Sequence, residues 1–182
     1  MSAFKIAASG RTRYFVIAAL VLSGSGPAND TAPTLQDLQV AAHVLHFLET
    51  PVSGELILAI AFNPADAASR AEAAALMALA GKGLSSNELT FQPRLVAQGQ
   101  LATAVGYGAV FATSGVDQAL LAASLKQRHV PCLTRHLEQV QLGACIVAIG
   151  TEPTVSIVVN AANAASDGVR FATAFRMMVP EI

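Results

Sequence analysis

Apolar runs of strand length alternate with helix-forming segments along most of this chain, and this alternation constrains its fold more than any other feature. The runs are rich in Val, Ile, Leu and Phe and are separated by Ala-rich or polar stretches. They cover residues 55–62, 89–96, 107–113 and 130–134. Because parallel strands joined through a helix make right-handed crossovers, the pattern predicts a mostly parallel sheet with helices on its faces.

A hairpin completes the pattern near the C-terminus. Two apolar runs, 143–150 and 155–160, are joined by the polar, Pro-containing residues 151–154, as is typical of antiparallel hairpins. Asn160 stands where the second run gives way to an Ala-rich helix, so it is predicted as a structural cap, with a ligand role as the alternative. The predicted fold is a single three-layer α/β domain with a mostly parallel central sheet of about six strands, helices on both faces and a C-terminal antiparallel hairpin.

Capping residues mark the starts of the first two predicted helices. Thr34 and Asp37, three residues apart, match a capping box and predict a first helix that reaches residue 49. Asn63 and Pro64 match an N-cap followed by a first-turn proline. They predict that the second helix begins directly after the first strand.

The N-terminal segment matches a secretory signal peptide. Three basic residues precede an apolar run at 14–22, and small residues follow at 23–28. A membrane-spanning helix needs roughly 20 apolar residues, so this run is too short to serve as an anchor. We therefore expect residues 1–28 to be cleaved, residues 34–180 to form the domain, and the mature protein to be periplasmic.

The charge of the mature chain excludes one class of partner. The signal segment contains three of the 11 Lys and Arg residues and none of the 12 Asp and Glu residues, so its removal leaves 8 against 12, a net charge of −4. A mildly acidic chain without a basic run cannot neutralise phosphates, which excludes nucleic acid. No nucleophile elbow, zinc-protease helix or phosphate-cradling glycine loop is present. The sequence therefore predicts a protein without enzymatic activity and without a cofactor.

Several segments, taken in order, resemble a known family. They are Val44–Pro51, Val130–Thr134, the strand that starts at Gly143, Ser156–Asn160 and Ala161–Gly168. Together with the order of the predicted elements they are similar to the YfiR-like family of small exported bacterial proteins. The likeness covers most of residues 35–179 and includes no catalytic signature.

The resemblance implies a function and also shows departures from the family pattern. It implies a periplasmic regulatory protein that binds the periplasmic part of a membrane signalling protein, such as a diguanylate cyclase. This chain departs from the pattern at Glu49-Thr50, at Asn63-Pro64 and at residues 176–178. These departures indicate a divergent member, whose partner need not be a cyclase.

Two cysteines lie in neighbouring predicted strands. Cys132 is in the fourth strand and Cys145 is in the first strand of the hairpin. An even number of cysteines in an exported chain favours a disulfide, which would stabilise the fold by roughly 3 kcal/mol. The alternative is a pair of buried thiols.

Two groups of side chains contain residue types that bind metal ions. The first group consists of His129, Cys132, His136 and Cys145. A Pro-containing strand separates its two histidines, which makes tetrahedral convergence difficult. The second group, His43 and His46, shares one helix face but lacks a third ligand. The sequence therefore predicts no metal site.

Three polar residues follow predicted strands and indicate a second function. Asn63, Ser114 and Arg135 should gather beyond the carboxyl ends of the strands, where open α/β sheets bind ligands. Their amide, hydroxyl and guanidinium groups suit an anion, although helix caps alone would have the same composition. This crevice indicates, as an alternative, a periplasmic small-molecule-binding protein that feeds a transporter or a receptor.

The first helix and a last helix predicted at 169–179 carry apolar residues that could exceed the needs of one core. Such residues either pack in the core or form a partner interface. The interface candidates are Leu45, Leu48, Phe171, Phe175 and Met178. Exposed terminal helices and an edge hairpin also indicate a homodimer.

Overall fold

The computed structural model describes residues 32–50, 53–81, 85–86, 89–126 and 128–182. The predicted signal peptide, residues 1–28, lies outside the described residues. The helices are α1 (Leu35–His46), α2 (Ala67–Ala80), α3 (Gln118–Leu125), α4 (Leu137–Gln141), α5 (Ala161–Ser166) and α6 (Thr173–Arg176). The strands are β1 (Gly54–Phe62), β2 (Ser85–Ser86), β3 (Leu89–Ala97), β4 (Ala109–Ala112), β5 (Cys132–Thr134), β6 (Val147–Gly150) and β7 (Ser156–Val159).

The strands form one sheet in the order β2-β3-β1-β4-β5-β6-β7. The inner strands β3, β1, β4, β5 and β6 are parallel to their neighbours, whereas β2 and β7 are antiparallel edge strands. The predicted α/β fold with its C-terminal hairpin is thus confirmed. The sheet has one strand more than expected because β2 contains only two residues, which is too short to produce a periodic signal.

Helices cover both faces of the sheet and enclose two cores. Along β1, Leu56, Leu58 and Ile60 pack on one face in the core that includes α1 and α2. Ala59 and Ala61 point to the opposite face, where they pack with α3 and α4. This alternation follows from the two-residue period of a strand. Together the faces make the three layers that the sequence predicts.

Helix α1 begins at the predicted capping box but ends before residue 49. The Thr34 hydroxyl accepts a hydrogen bond from the Asp37 backbone N–H, and the Asp37 carboxylate accepts one from Thr34 in return. After His46 the chain turns at Phe47, and Leu48 forms an antiparallel bridge with Phe171. The helix stops because the backbone of this segment pairs with the C-terminal segment instead.

Helix α2 begins later than its sequence pattern indicates. Asp66, not Asn63, is the N-cap, since its Oδ1 atom accepts a hydrogen bond of 2.8 Å from the Ser69 N–H. The Asn63 side chain instead accepts a hydrogen bond of 3.0 Å from the Ala65 N–H. This local turn competes with helix formation and delays the first helical residue to Ala67.

The last predicted helix, 169–179, is wrong in extent. Only Thr173–Arg176 is helical. Phe171 lies in the bridge to Leu48, and the Ala172 N–H donates a hydrogen bond of 2.8 Å to the Phe47 carbonyl. The backbone groups needed for a longer helix are therefore used by a tertiary contact, which periodicity alone does not reveal.

Asn160 caps α5, as predicted. Its side-chain oxygen accepts a hydrogen bond of 2.8 Å from the Asn163 N–H, and its Nδ2 atom donates one of 2.9 Å to the Val140 carbonyl. The second bond ties α5 to α4.

We expect the Asn160→Ala substitution to lower the free energy of unfolding by about 1 kcal/mol, because it removes the cap. Urea denaturation measures this loss. Asn160→Asp keeps the cap acceptor and removes only the donor to Val140, so it should cost less. An equal loss in both variants would show that the cap does not contribute.

Candidate functional site

The candidate site lies at the carboxyl ends of β1, β4 and β5. The strand order reverses between β1 and β4, which makes this edge the topological switch point of the sheet. The Asn63 side chain donates a hydrogen bond of 2.8 Å to the Gly115 carbonyl, and the hydroxyls of Ser69 and Thr113 are 2.7 Å apart. The loops that follow β1 and β4 are therefore joined to each other and to α2.

Gly115 allows the close approach of these two loops. Its φ is +65°, and a Cβ atom at this position would lie 2.8 Å from the Cγ atom of Asp66. A larger residue would both strain the backbone and displace the α2 cap.

Arg135 follows β5 and extends into the same crevice, where it is only 8% exposed. Its Nε atom is 3.1 Å from Oδ2 of Asp37, and its Nη1 atom is 4.0 Å from Oε1 of Glu72. The two carboxylates belong to α1 and α2. Arg135 therefore links both helices of one face to the carboxyl edge of the sheet.

Asp37 is fully buried, and its carboxylate joins three parts of the fold. It accepts a hydrogen bond of 2.7 Å from the Thr34 N–H and one of 2.6 Å from the Thr151 hydroxyl, in addition to its ion pair with Arg135. Thr151 belongs to the β6–β7 loop. Asp37 is thus the point at which α1, the hairpin and the loop after β5 meet.

Glu72 holds the other side of the crevice. Its Oε2 atom accepts a hydrogen bond of 2.8 Å from the Ser114 N–H, and both its oxygens lie 3.0 Å from Nε2 of His136. Burial raises the pKa of Glu72, but the hydrogen bonds from His136 and Ser114, with the charge of His136, outweigh burial and hold the pKa below its usual value.

The three predicted crevice residues are therefore brought to one edge, but their donors are engaged by the chain itself. Ser114 donates to Glu72, Arg135 pairs with Asp37, and Asn63 bonds to Gly115. An anionic ligand at this edge would have to displace a buried carboxylate. The arrangement can couple helices, strands and hairpin electrostatically, and it presents few spare donors to a ligand.

Sequence reasoning missed Glu72, considered His136 only as a metal ligand and treated Asp37 only as a cap. One signal was present for Glu72, which lies one turn before the buried Leu76 on the Ala-rich helix α2 and so shares its inward side. Nothing local indicates that His136 would be its partner, since the two residues are 64 positions apart.

The lowered pKa of Glu72 predicts an acid-dependent loss of stability. Because its folded pKa lies below the unfolded value of 4.5, Glu72 stabilises the fold fully above pH 4.5, and this contribution disappears as the pH falls through the folded pKa. The Glu72→Gln variant should therefore lose less stability between pH 5 and pH 3 than the parent, as measured by urea denaturation. Asp167 provides a comparison within the same chain. Burial raises its pKa, so its contribution to the pH dependence of stability has the opposite sign to that of Glu72. If the free energy of unfolding fell by the same amount in the parent and in Glu72→Gln over this pH range, the predicted role of Glu72 would be contradicted.

Cys132 and Cys145 form a disulfide, which confirms the first of the two alternatives for this pair. Their Cα atoms are 4.7 Å apart, and both residues are buried in the core beneath α3 and α4. The bond uses both thiols that a zinc site would need. Within the described part of the chain, no cluster of three or more His, Cys, Asp or Glu residues is arranged to hold a metal ion.

The histidines have separate roles. His129 contacts the Gly168 carbonyl at 3.1 Å through Nδ1, and His43 contacts the Gln39 carbonyl at 2.8 Å. His136 is paired with Glu72, as described above. The two histidines of the first group, His129 and His136, are thus bonded to different parts of the fold.

Four of the five interface candidates are core residues. Leu45, Leu48, Phe171 and Phe175 are buried, and the Phe171 and Phe175 rings lie 5.3 Å apart. They present little surface to a partner, which corrects their assignment to an interface. Met178 is different, since it is 66% exposed.

The C-terminal segment exposes further apolar residues beside Met178. Met177 is 83% exposed, and Ile182 is also largely exposed. The turn after α6 directs Met177 and Met178 away from the core that holds Phe175. We call Met177 and Met178 the C-terminal apolar surface.

A groove of about 500 Å³ lies at the opposite edge of the sheet, before β4 and β5. Its lining includes the ionisable residues Glu49, His129 and Arg170. Glu49 and Arg170 also line an adjoining cavity of about 280 Å³. This region combines both signs of charge with apolar walls.

No helix among the described residues is long and apolar enough to cross a membrane. The disulfide is the structural observation that bears on location.

Comparisons with known proteins place the fold. No protein-family model matches the chain, and neither does any curated protein. Two solved structures share the fold with a TM-score of 0.55 each. One is the ABC domain from Streptococcus pneumonia in complex with L-Trp, 14% identical, in which 80% of this chain matches 60% of that chain. The other is a conserved domain protein from Vibrio cholerae, 15% identical, in which 84% of this chain matches 60% of that chain.

These likenesses concern the fold. The chain spans 60% of the length of either solved structure. At this level of identity they carry no residue roles, and sites must be argued from the chain itself.

Proposed function

We propose that this chain is an exported, non-enzymatic regulatory protein that binds the periplasmic part of a membrane signalling protein, as YfiR-like proteins do. The observation that carries the proposal is the C-terminal apolar surface. Met177 and Met178 are exposed at adjacent positions, and flexible methionine side chains adapt well to protein surfaces. The switch-point crevice, by contrast, is occupied by the chain's own carboxylates.

Other features support export. The N-terminal sequence has the basic, apolar and small segments of a signal peptide. A buried disulfide suits an oxidising compartment such as the periplasm. Both features agree with a partner that exposes a domain on the same side of the membrane.

A matched pull-down tests this function. The purified chain and the Met177→Asp/Met178→Asp variant would be incubated with detergent-solubilised membranes of the source cell. We expect the parent to retain an integral membrane protein with an exported domain, and the variant to retain at least tenfold less, because each charge would be buried without a partner. Val105→Asp is the control, since Val105 is 74% exposed on a distant loop. Equal capture by all three proteins, or no membrane protein at all, would contradict the proposal.

A second function is small-molecule binding, and the structural neighbours support it more than they support the first. One neighbour was solved in complex with L-Trp. In this chain the groove at the amino ends of β4 and β5 has the volume of a small-ligand site, about 500 Å³, and is lined by Glu49, His129 and Arg170. Side chains of both signs in one groove suit a zwitterion such as an amino acid.

Calorimetric titration with the twenty amino acids tests the second function. Binding of one of them by the parent, with at least a tenfold loss in the Arg170→Ala variant, would support it. Arg94→Ala is the control, because Arg94 is exposed on β3 away from the groove. Equal heats in both variants would exclude this groove as the site.

A further inference from the structure

The outer edge of β7 is incompletely covered. β7 is last in the sheet order and pairs with β6 along one side only. On the other side, the Val159 N–H donates a hydrogen bond of 3.0 Å to the Pro180 carbonyl, and the Ile182 N–H donates one of 2.9 Å to the Val159 carbonyl. The C-terminal residues 180–182 thus lie on this edge as a short parallel strand.

Ile157 has the same orientation as Val159. In an antiparallel pair, alternate residues direct both backbone groups away from the partner strand, so Ile157 and Val155 face outward with Val159. Within the described part of the chain, the outward groups of Ile157 make no backbone hydrogen bond. The backbone N–H and carbonyl groups of Ile157 could therefore pair with another strand, whereas those of Val159 are already bonded to the C-terminal residues.

The composition of this edge favours pairing rather than preventing it. Residues 155–159 are Val, Ser, Ile, Val and Val, with no charge and no proline, whereas protected edges usually carry Lys or Pro. Val155 is 50% exposed. An uncharged and mostly β-branched edge is the kind that accepts another strand.

The C-terminal residues hold the edge through few contacts. Besides the two bonds at Val159, their described side-chain link is the ion pair between Arg176 and Glu181, 2.7 Å long and largely exposed. Exposed ion pairs contribute little to stability. An incoming strand could therefore replace residues 180–182.

We propose that β7 pairs antiparallel with β7 of a second copy of this chain, about a two-fold axis at Ile157, and that residues 180–182 are displaced. In this register Ile157 faces its counterpart and Val155 faces Val159, so each outward residue gains a partner, whereas the C-terminal residues serve Val159 alone. The pairing is self-complementary, as a two-fold interface requires. It brings no two charged residues of the strands together.

Cysteine cross-linking tests the register directly. Both native cysteines are in the disulfide, so the Ile157→Cys variant of the full chain contains one free thiol. Directly opposed residues of an antiparallel pair have Cα atoms about 5.5 Å apart, within the range of a disulfide. We expect most of this variant to run as a covalent dimer on a non-reducing gel after mild oxidation. Val155→Cys is the matched control and should remain mostly monomeric, because position 155 faces 159.

Light scattering supplies a second measurement, and on the parent protein it needs no substitution. We expect the mass to rise from monomer to dimer with concentration, and the Val155→Lys variant to need at least tenfold more protein for the same rise. A monomer at all concentrations would overturn the proposal. So would equal cross-linking at positions 155 and 157, or a dimer whose formation is unaffected by Val155→Lys.

Discussion

Replacing Asp37 with alanine is expected to lower the free energy of unfolding by about 3–5 kcal/mol, the usual cost of removing one partner of a buried ion pair. Asp37 is fully buried and Arg135 nearly so. The substitution removes the 3.1 Å ion pair of the guanidinium group, while the contact to Glu72 is longer, at 4.0 Å. It also removes the acceptor of the Thr151 hydroxyl, so the hairpin loses its link to α1. Urea denaturation of the purified variant measures the loss.

Two control variants separate the parts of this effect. Thr34→Ala removes the capping hydroxyl but leaves the ion pair, and it should cost only about 1 kcal/mol. Thr151→Val removes one hydrogen bond to the carboxylate and should cost roughly 1–3 kcal/mol. If Asp37→Ala were no more destabilising than Thr34→Ala, the ion pair would contribute nothing beyond the cap. In that case a double-mutant cycle with Arg135→Met would find that the stability losses of the two single variants simply add in the double variant.

Removing the disulfide has the second large expected effect. Cys132 and Cys145 are 13 residues apart, and closing a loop of this length stabilises the fold by about 3 kcal/mol in the chain-entropy model. The Cys132→Ala/Cys145→Ala variant should lose about this amount, together with a smaller packing term from two buried side chains. Cys145 lies just before β6 and not in the hairpin strand as predicted, so the bond joins β5 to the segment that precedes β6. Its loss should also loosen the strand that precedes Arg135.

Thiol titration and a matched reduction separate these terms. Titration of the denatured parent should find no free thiol, and two free thiols would contradict the disulfide. The reduced parent keeps both side chains, so it should lose the loop-closure term without the packing term. A reduced parent as stable as the oxidised one would show that the cross-link adds nothing to stability.

The elements that local patterns determine could be predicted from the sequence. The run from Glu55 to Phe62 became β1, the hairpin became β6 and β7, and Asn160 became the cap of α5. In each case the signal lies within a few residues, as apolar periodicity, turn composition or a capping side chain. The parallel direction of the inner strands could be predicted from the alternation of strands and helices.

The elements decided by distant partners could not be predicted. Asp37 is bonded to Thr151, 114 positions away, and Glu72 to His136, 64 positions away. The C-terminal helix was overestimated because its backbone pairs with the segment after α1. Asn63, Ser114 and Arg135 were correctly placed at one edge by topology, but nothing in their neighbourhood shows that carboxylates from α1 and α2 would occupy the crevice.

The carboxylates in this crevice are one reason why the proposed function is placed at another surface. In an open α/β sheet the switch point is where a ligand is expected, and here it holds a buried network that couples α1, α2, the loop after β5 and the hairpin. The hairpin continues directly into α5 and the C-terminal segment. The network therefore stabilises the support on which the C-terminal apolar surface is displayed.

In-cell photo-cross-linking tests the central claim most directly, namely that the C-terminal apolar surface binds a membrane signalling protein. A photoreactive phenylalanine analogue would replace Met178 in one strain and Val105 in another, and adducts would be identified by mass spectrometry after membrane isolation. We expect the residue at position 178, but not the one at 105, to form an adduct with an integral membrane protein that has an exported signalling domain. An absence of adducts at 178, or the same adduct from both positions, would contradict the account.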